Sequence, residues 1–275
     1  METLARDFRY VLRSLARSPG FFFVTALTLA LGIGATTAIF SVVNGVLLQP
    51  LPYPASERIV QAFQIDKDGQ RMSVSEPNFD DWRSQTRAFE AMAMSSSSGT
   101  ITVNGLSEPI RARGASVTRE FFSVFGLTPR MGRVFVDDEL RPGAPGSVVV
   151  SYGFWQNQLG GSPQALGKTL KIGTQLMTIV GVMPRAMNYP AGTEIWFPHE
   201  SETRNPSRTS HGWRVLGRVR PNVTVAQAKS DLSAVSRRLK QQYGDATWMS
   251  DGDLVTLHEQ LVGRVRTTLL ILLGA

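Results

Sequence analysis

The sequence predicts an α+β protein held to a membrane: a transmembrane helix, a folded domain beyond it, and the start of a second transmembrane helix. Three observations predict this. Residues 21–48 carry no charged side chain. Much of the formal net charge of +7 flanks apolar segments, with Arg6, Arg9, Arg13 and Arg17 before the long one and Arg264 and Arg266 before a shorter one at 267–275. Between these segments, strand-type and helix-type patterns alternate across Gly- and Pro-rich turns. Acidic and basic residues nearly balance there, whereas a nucleic-acid binder gathers its charge on one face or groove, so no nucleic-acid partner is expected. With no cysteine, disulfides, thiolate zinc sites, iron–sulfur clusters and cysteine nucleophiles are excluded. Only His199, His211 and His258 remain as imidazoles, and no metal or cofactor site is expected.

The leader, residues 1–20, reads as a helix with Leu4, Phe8, Leu12 and Leu15 on one side, lying along the inner membrane surface with its arginines at headgroup depth. A plain solvated basic leader is the alternative. Ser18-Pro19-Gly20 breaks this helix and turns the chain into the span. As a helix, residues 21–48 would extend about 42 Å, against roughly 30 Å of hydrocarbon. In lipid each backbone amide must be bonded within its own segment, which leaves helix as the single-segment solution. A cleaved signal peptide, cut after Ala35 or Ala38, would have an apolar core of only about 7–15 residues, and this run continues far past it. A buried helix of a soluble protein is seldom so long. The arginines before the span place the N-terminus in the cytoplasm and the chain from about residue 49 outside, across a bacterial inner membrane. Ala26, Ala30, Gly34 and Ala38 recur every four residues, which predicts a face for close helix packing. The run at 267–275 is too short to cross a bilayer and reads as a truncated second span, with a short amphipathic tail as the alternative.

The domain, residues 49–265, opens on Pro50-Leu51-Pro52-Tyr53-Pro54. A strand is expected at 58–65, a turn at Asp66-Lys67-Asp68-Gly69 and a partner strand near 71–75. A helix starting at Pro77 should carry Phe79, Trp82 and Phe89. Asn104-Gly105 predicts a hairpin between 100–103 and 106–117. Thr118 is expected to cap a helix at 119–125 that Gly126 ends. A second block, from 130 to 200, should hold a strand at 147–150, a helix at 152–159, and a hairpin of 168–172 with 175–182 around Gly173-Thr174. The third block reads strand, helix, strand. Trp213, Val215 and Val219 alternate with Arg214, Arg218 and Arg220. Thr224 caps a helix whose stripe is Val225, Ala228, Leu232, Val235 and Leu239, and residues 254–257 form the last strand.

Several motifs approach chemistry and stop short. Gly160 to Thr169 resembles a phosphate-binding loop, but Ser162 stands where glycine is required and a hairpin pattern follows instead of a helix. His199-Glu200 and His258-Glu259 lack the second histidine of a zinc protease. Asp137-Asp138-Glu139 and Asp251-Gly252-Asp253 lack the staggered ligands of a calcium loop and read as acidic turns. Asn222-Val223-Thr224 reads as a turn and cap, and Trp82, Trp155, Trp196 and Trp213 as core anchors. No catalytic constellation is visible, so no enzyme is expected.

Five segments carry a resemblance: residues 28–60, SEPNFDDWR at 75–83, residues 150–184, EIWFP at 194–198 and residues 261–275. They resemble the MacB-like ABC-transporter permeases, most of all the acidobacterial duplicated orphan permeases. The resemblance implies a porter-like α+β unit, mapped here to 55–129 and 201–262, with a small α/β subdomain inserted at 130–200. It also implies three further spans, a separate cytoplasmic ATPase, and a homo- or pseudo-dimer of permease halves. ATP-driven motion would pass through the spans to the extracytoplasmic domain for efflux or mechanotransmission. A membrane-tethered sensor or binding module without transport is the alternative.

Overall fold

The computed structural model describes residues 19–45, 49–106, 108–263 and 271. Arg6, Arg9, Arg13, Arg17 and the expected leader helix lie outside the described residues, as do Arg264, Arg266 and all of the expected second span except residue 271. The chain forms two compact units, one of Met1–Gln49 with Val262–Ala275 and the other of Pro50–Leu261.

In the first unit, helix α1 runs Pro19–Val43 without a charged side chain. Apolar residues cover its circumference, as a lipid-facing helix requires. Its hydroxyls are satisfied within the helix, Thr28 Oγ1 donating to the Val24 carbonyl at 2.8 Å and Thr36 Oγ1 to the Gly32 carbonyl at 2.9 Å. Hydrocarbon offers them no other partner.

The second unit is built on one mixed sheet of 12 strands. In chain order they are β1 (Ile59–Ile65), β2 (Arg71–Met72), β3 (Phe89–Ser95), β4 (Gly99–Asn104), β5 (Ile110–Val117) and β6 (Met131–Gly132). Then come β7 (Gly146–Val150), β8 (Thr169–Ile172), β9 (Gln175–Val182), β10 (Ile195–Pro198), β11 (Arg214–Val219) and β12 (Asp251–Thr256). The helices are α2 (Glu76–Gln85), α3 (Phe121–Phe125), α4 (Tyr152–Leu159) and α5 (Val225–Tyr243). Residues 257–263 begin a further helix directly after β12.

The strand order is β10-β7-β9-β8-β4-β5-β3-β11-β1-β12, and β10 also pairs in parallel with β5. That pairing closes six strands, β4, β5 and β7 to β10, into a ring filled by Val103, Val148, Val150, Phe154, Ile179 and Ile195. Strands β1, β2, β3, β11 and β12 form an open sheet covered on both faces, while β6 pairs with β9 of the ring. On one face, Phe79 and Trp82 of α2 and Leu232, Val235 and Leu239 of α5 pack on Val60, Met94 and Val215. On the other, Phe121, Phe122 and Phe125 of α3 pack with Trp196, Ile59 and Leu216. Each such side chain contributes about 1.5–3 kcal/mol through burial. The Trp82 indole is satisfied inside the core, donating to Ser236 Oγ at 3.0 Å.

Double coverage changes how strand patterns read. Arg218 alternates with apolar neighbours, yet it is buried at 5% exposure. Its guanidinium donates to the Val124 carbonyl at 2.8 Å and the Pro54 carbonyl at 2.9 Å, tying α3 and the chain's entry segment to the sheet.

The hairpin around Gly173-Thr174, helix α4 and the strand–helix–strand of 214–256 stand where their local signals put them. Thr224 caps α5 through its side chain, reciprocated by Gln227. Four expectations change. Phe89 is not on α2, which stops at Gln85; Thr86 Oγ1 bonds back to the Trp82 carbonyl at 2.6 Å, and Phe89 opens β3. Thr118 does not cap α3, because its Oγ1 accepts from the Met94 amide at 2.9 Å. Asp251-Gly252-Asp253 is the start of β12, not a loop, and Asp253 pairs with Arg71 and Lys229. Trp82, Trp155 and Trp196 are buried anchors, whereas Trp213 is only half-buried. The Gly160–Thr169 stretch is a set of turns: Gly160, Gly161 and Gly167 have φ of 64°, 66° and 81°, and β8 follows.

Candidate functional site

Two features stand out, one in each unit. On α1, Ala26, Ala30, Gly34 and Ala38 follow one another at one-turn spacing, and all four are exposed. A Cβ placed on Gly34 would meet nothing within 4 Å. Around them Phe21, Phe23, Leu31 and Ile33 are 66–70% exposed. An apolar surface of this extent is not stable in water, and a line of small residues within it is where a second helix backbone can come closest.

In the second unit, a buried polar cluster joins the segment after β10 to the start of α2. Glu76 stands at the first turn of α2 and is 4% exposed, and His199 follows β10 at 3%. Glu76 Oε1 lies 3.4 Å from His199 Nε2, and Glu202 Oε2 lies 3.5 Å from His199 Nδ1. These are ion-pair separations without hydrogen-bond alignment. The other oxygen of Glu76 accepts from the Asn205 amide at 3.2 Å and faces Arg204, which also pairs with Asp80. The imidazole rests on Trp213 with ring centroids 4.2 Å apart. Arg208 extends the cluster, pairing with Asp81 at 2.7 Å and lying 3.7 Å over the Tyr243 ring.

Burial alone would push His199 toward its neutral form, but Glu202 and Glu76 more than reverse this and hold its pKa above the ordinary value. Burial would likewise raise Glu202, yet its contacts with His199 and the Ser116 hydroxyl hold it below the usual carboxylate range. Each group's charged form is favoured by the charge on the other.

Ser116, Glu202 and His199 are the residue types of a hydrolytic triad, but the order is wrong. The Ser116 hydroxyl donates to Glu202, not to the imidazole, so the serine–histidine contact of such a triad is not made. Among the described residues no group of three His, Asp or Glu side chains is arranged to hold a metal ion. The arrangement is a clamp: it fastens the residue 199–205 segment to α2 through the buried Glu76 and His199, with the partly exposed Glu202, Arg204 and Asp80 around them. The sequence alone did not reveal it. His199-Glu200 suggested only an incomplete zinc motif, and nothing local indicates that Glu76 lies beside His199.

The MacB-like periplasmic core domain family profile matches residues 22–235. Among solved structures, the periplasmic region of MacB from Actinobacillus actinomycetemcomitans is similar at a TM-score of 0.55 and 12% identity, covering 83% of this chain and 98% of that one. The extracellular domain of the noncanonic ABC-type transporter YknZ from Gram-positive bacteria is similar at 0.51 and 16%, covering 72% and 99%. At these identities the likeness is one of fold. Among curated protein sequences none matches the chain. One long apolar helix followed by this domain is the composition of a membrane protein with an extracellular body. The family match extends from within α1 through most of α5, and on that ground the chain belongs to the MacB-like periplasmic core domain family.

Proposed function

We propose that the chain is the first span and extracytoplasmic domain of an ABC-transporter permease subunit, of the kind found in the acidobacterial duplicated orphan permeases. In this reading the leader arginines lie at the cytoplasmic surface of the inner membrane, α1 crosses it, and residues 49–265 stand outside. The insert spans 130–200, seated on the β4–β5 hairpin. A separate cytoplasmic ATPase hydrolyses ATP, two permease halves pair, and displacement of the spans reorients the domain.

The observation that supports a lever is the way the chain enters and leaves the domain. It enters at Pro50 and reaches β1 at Ile59; it leaves through β12, whose last residue, Thr256, directly precedes the helical residues 257–263. β1 and β12 are one antiparallel pair, with Val60 opposite Thr256 and Ile65 opposite Asp251. Hydrogen-bonded strands do not slide past each other without breaking the ladder. A displacement at either connection is therefore carried into the sheet as a rigid-body motion.

The test uses the intact permease with its ATPase in nanodiscs. Spin labels on Ser41→Cys and Ser97→Cys, in a permease otherwise cleared of cysteine, report the distances between α1 and the turn after β3; residues 1–275 contribute no other cysteine. Trapping the ATP-bound state should shift the distance distribution. An unchanged distribution with an active ATPase would contradict transmission and favour a tethered binding module.

A further inference from the structure

In the unit of Pro50–Leu261, one aromatic side chain among the described residues stands out of the surface: Trp248 is 61% exposed. Its backbone lies in the left-handed region, at φ 50° and ψ 7°. Apart from Ala55, no other non-glycine residue among those described has a positive φ. For a bulky side chain this conformation is costly, and strain of this kind gathers at binding and switch regions. Both neighbours are anchored. Thr247 and Met249 are fully buried, and Thr247 Oγ1 accepts from the Met249 amide at 3.0 Å and donates to the Met249 carbonyl at 3.2 Å. The backbone is thus fixed on both sides of a side chain that points outward. The His211 ring backs the indole at an interplanar angle of 25°, with centroids 5.9 Å apart.

A cavity of about 720 Å³ opens beside this indole, at the end of the β1–β12 pair away from Ile59 and Thr256. Five charged residues share its wall with Trp248. Asp66, Lys67 and Asp68 come from the turn between β1 and β2. Lys240, near the end of α5, donates to Asp245 Oδ1 at 2.8 Å.

We propose that this cavity binds a saccharide of pyranose rings with equatorial hydroxyls, one ring stacked on the Trp248 indole. Three carboxylates set against two ammonium groups favour neither an anion nor a cation strongly, and a wholly apolar ligand would strip water from all five charges. A sugar ring meets neither objection. Its axial C–H bonds form an apolar face that fits an exposed indole, and the hydroxyls on its rim donate to carboxylates and accept from ammonium groups. The inference goes beyond the transport reading and stands apart from it, since it needs only the folded unit of Pro50–Leu261.

The test is calorimetry on the full chain in phosphatidylcholine nanodiscs, titrated with cellotetraose and chitotetraose, with choline chloride in a parallel arm. Saturable binding of a tetrasaccharide is the expected result. Trp248→Ala should weaken it about tenfold, and Trp248→Tyr, which keeps an aromatic face, should retain most of it. Asp68→Asn, at an exposed position, should weaken it several-fold. Trp248→Gly separates a binding role from a structural one: glycine adopts positive φ freely, so the thermal midpoint should hold or rise while binding is lost. Co-sedimentation with insoluble chitin or cellulose would assign a polymer strand, and its absence a free oligosaccharide. No binding of either tetrasaccharide, choline bound in their place, undiminished binding in Trp248→Ala, or a midpoint lowered by Trp248→Gly overturns the proposal.

Discussion

His199 is the centre of the buried charge cluster that holds the residue 199–205 segment to α2. It is enclosed by Glu76 and Glu202, with Arg204 on the far side of Glu76 and Trp213 against its ring. Its folded pKa is above the ordinary 6.5, so its stabilisation is complete below 6.5 and is lost as pH rises through the folded value. Glu202 is shifted downward from 4.5, so its contribution is complete above 4.5 and is lost as pH falls through its folded value. Both are in place between 4.5 and 6.5. The difference in thermal midpoint between the wild type and His199→Gln should therefore be largest in that window and shrink toward alkaline pH. A difference that stays flat across pH would show that the imidazole is not charged in the fold. Breaking a buried pair by removing one partner typically costs about 3–5 kcal/mol, so Glu76→Ala should be the more damaging change. This clamp was hidden from the sequence because its members are far apart in the chain. Arg218 was hidden for a related reason: its pattern is that of an exposed strand residue, and only the covering by α3 makes it internal.

Among elements, those stamped by a local rule were legible and those made by tertiary pairing were not. Gly173 and Gly126 occupy left-handed turn positions, and the Thr224–Gln227 box marks the start of α5, so the hairpin and the helices around them could be placed from sequence. β3 was missed because Phe89 suits a longer α2, and β10 because four residues are too few to show a period; both exist through their neighbours in the sheet. α1 was the clearest of all, since lipid imposes its composition directly. Its small-residue line makes the prediction at this scale. Gly34→Leu should leave the extracytoplasmic body folded, because among the described residues a Cβ there would meet nothing within 4 Å beyond its own helix backbone. It should nevertheless reduce assembly of α1 with other spans, read by crosslinking of the intact permease in membranes. Undiminished crosslinking would remove the packing face from the account.

For the whole molecule, the account requires a body outside the membrane whose two connections run into it from a single strand pair. The far end of that pair holds the Asp66–Gly69 turn, where Asp66 Oδ1 accepts from the Asp68 and Gln70 amides. The exposed turn between β3 and β4 offers the reporter. Ser96 is half-buried and its Oγ accepts from the Ser116 amide, whereas Ser97 is exposed. In a chain without cysteine, Ser97→Cys is a unique handle. The most direct measurement is its reaction with a membrane-impermeant maleimide in intact cells whose outer layers admit the reagent. Full labelling before lysis is the predicted result; labelling that appears only after the inner membrane is broken would contradict the account.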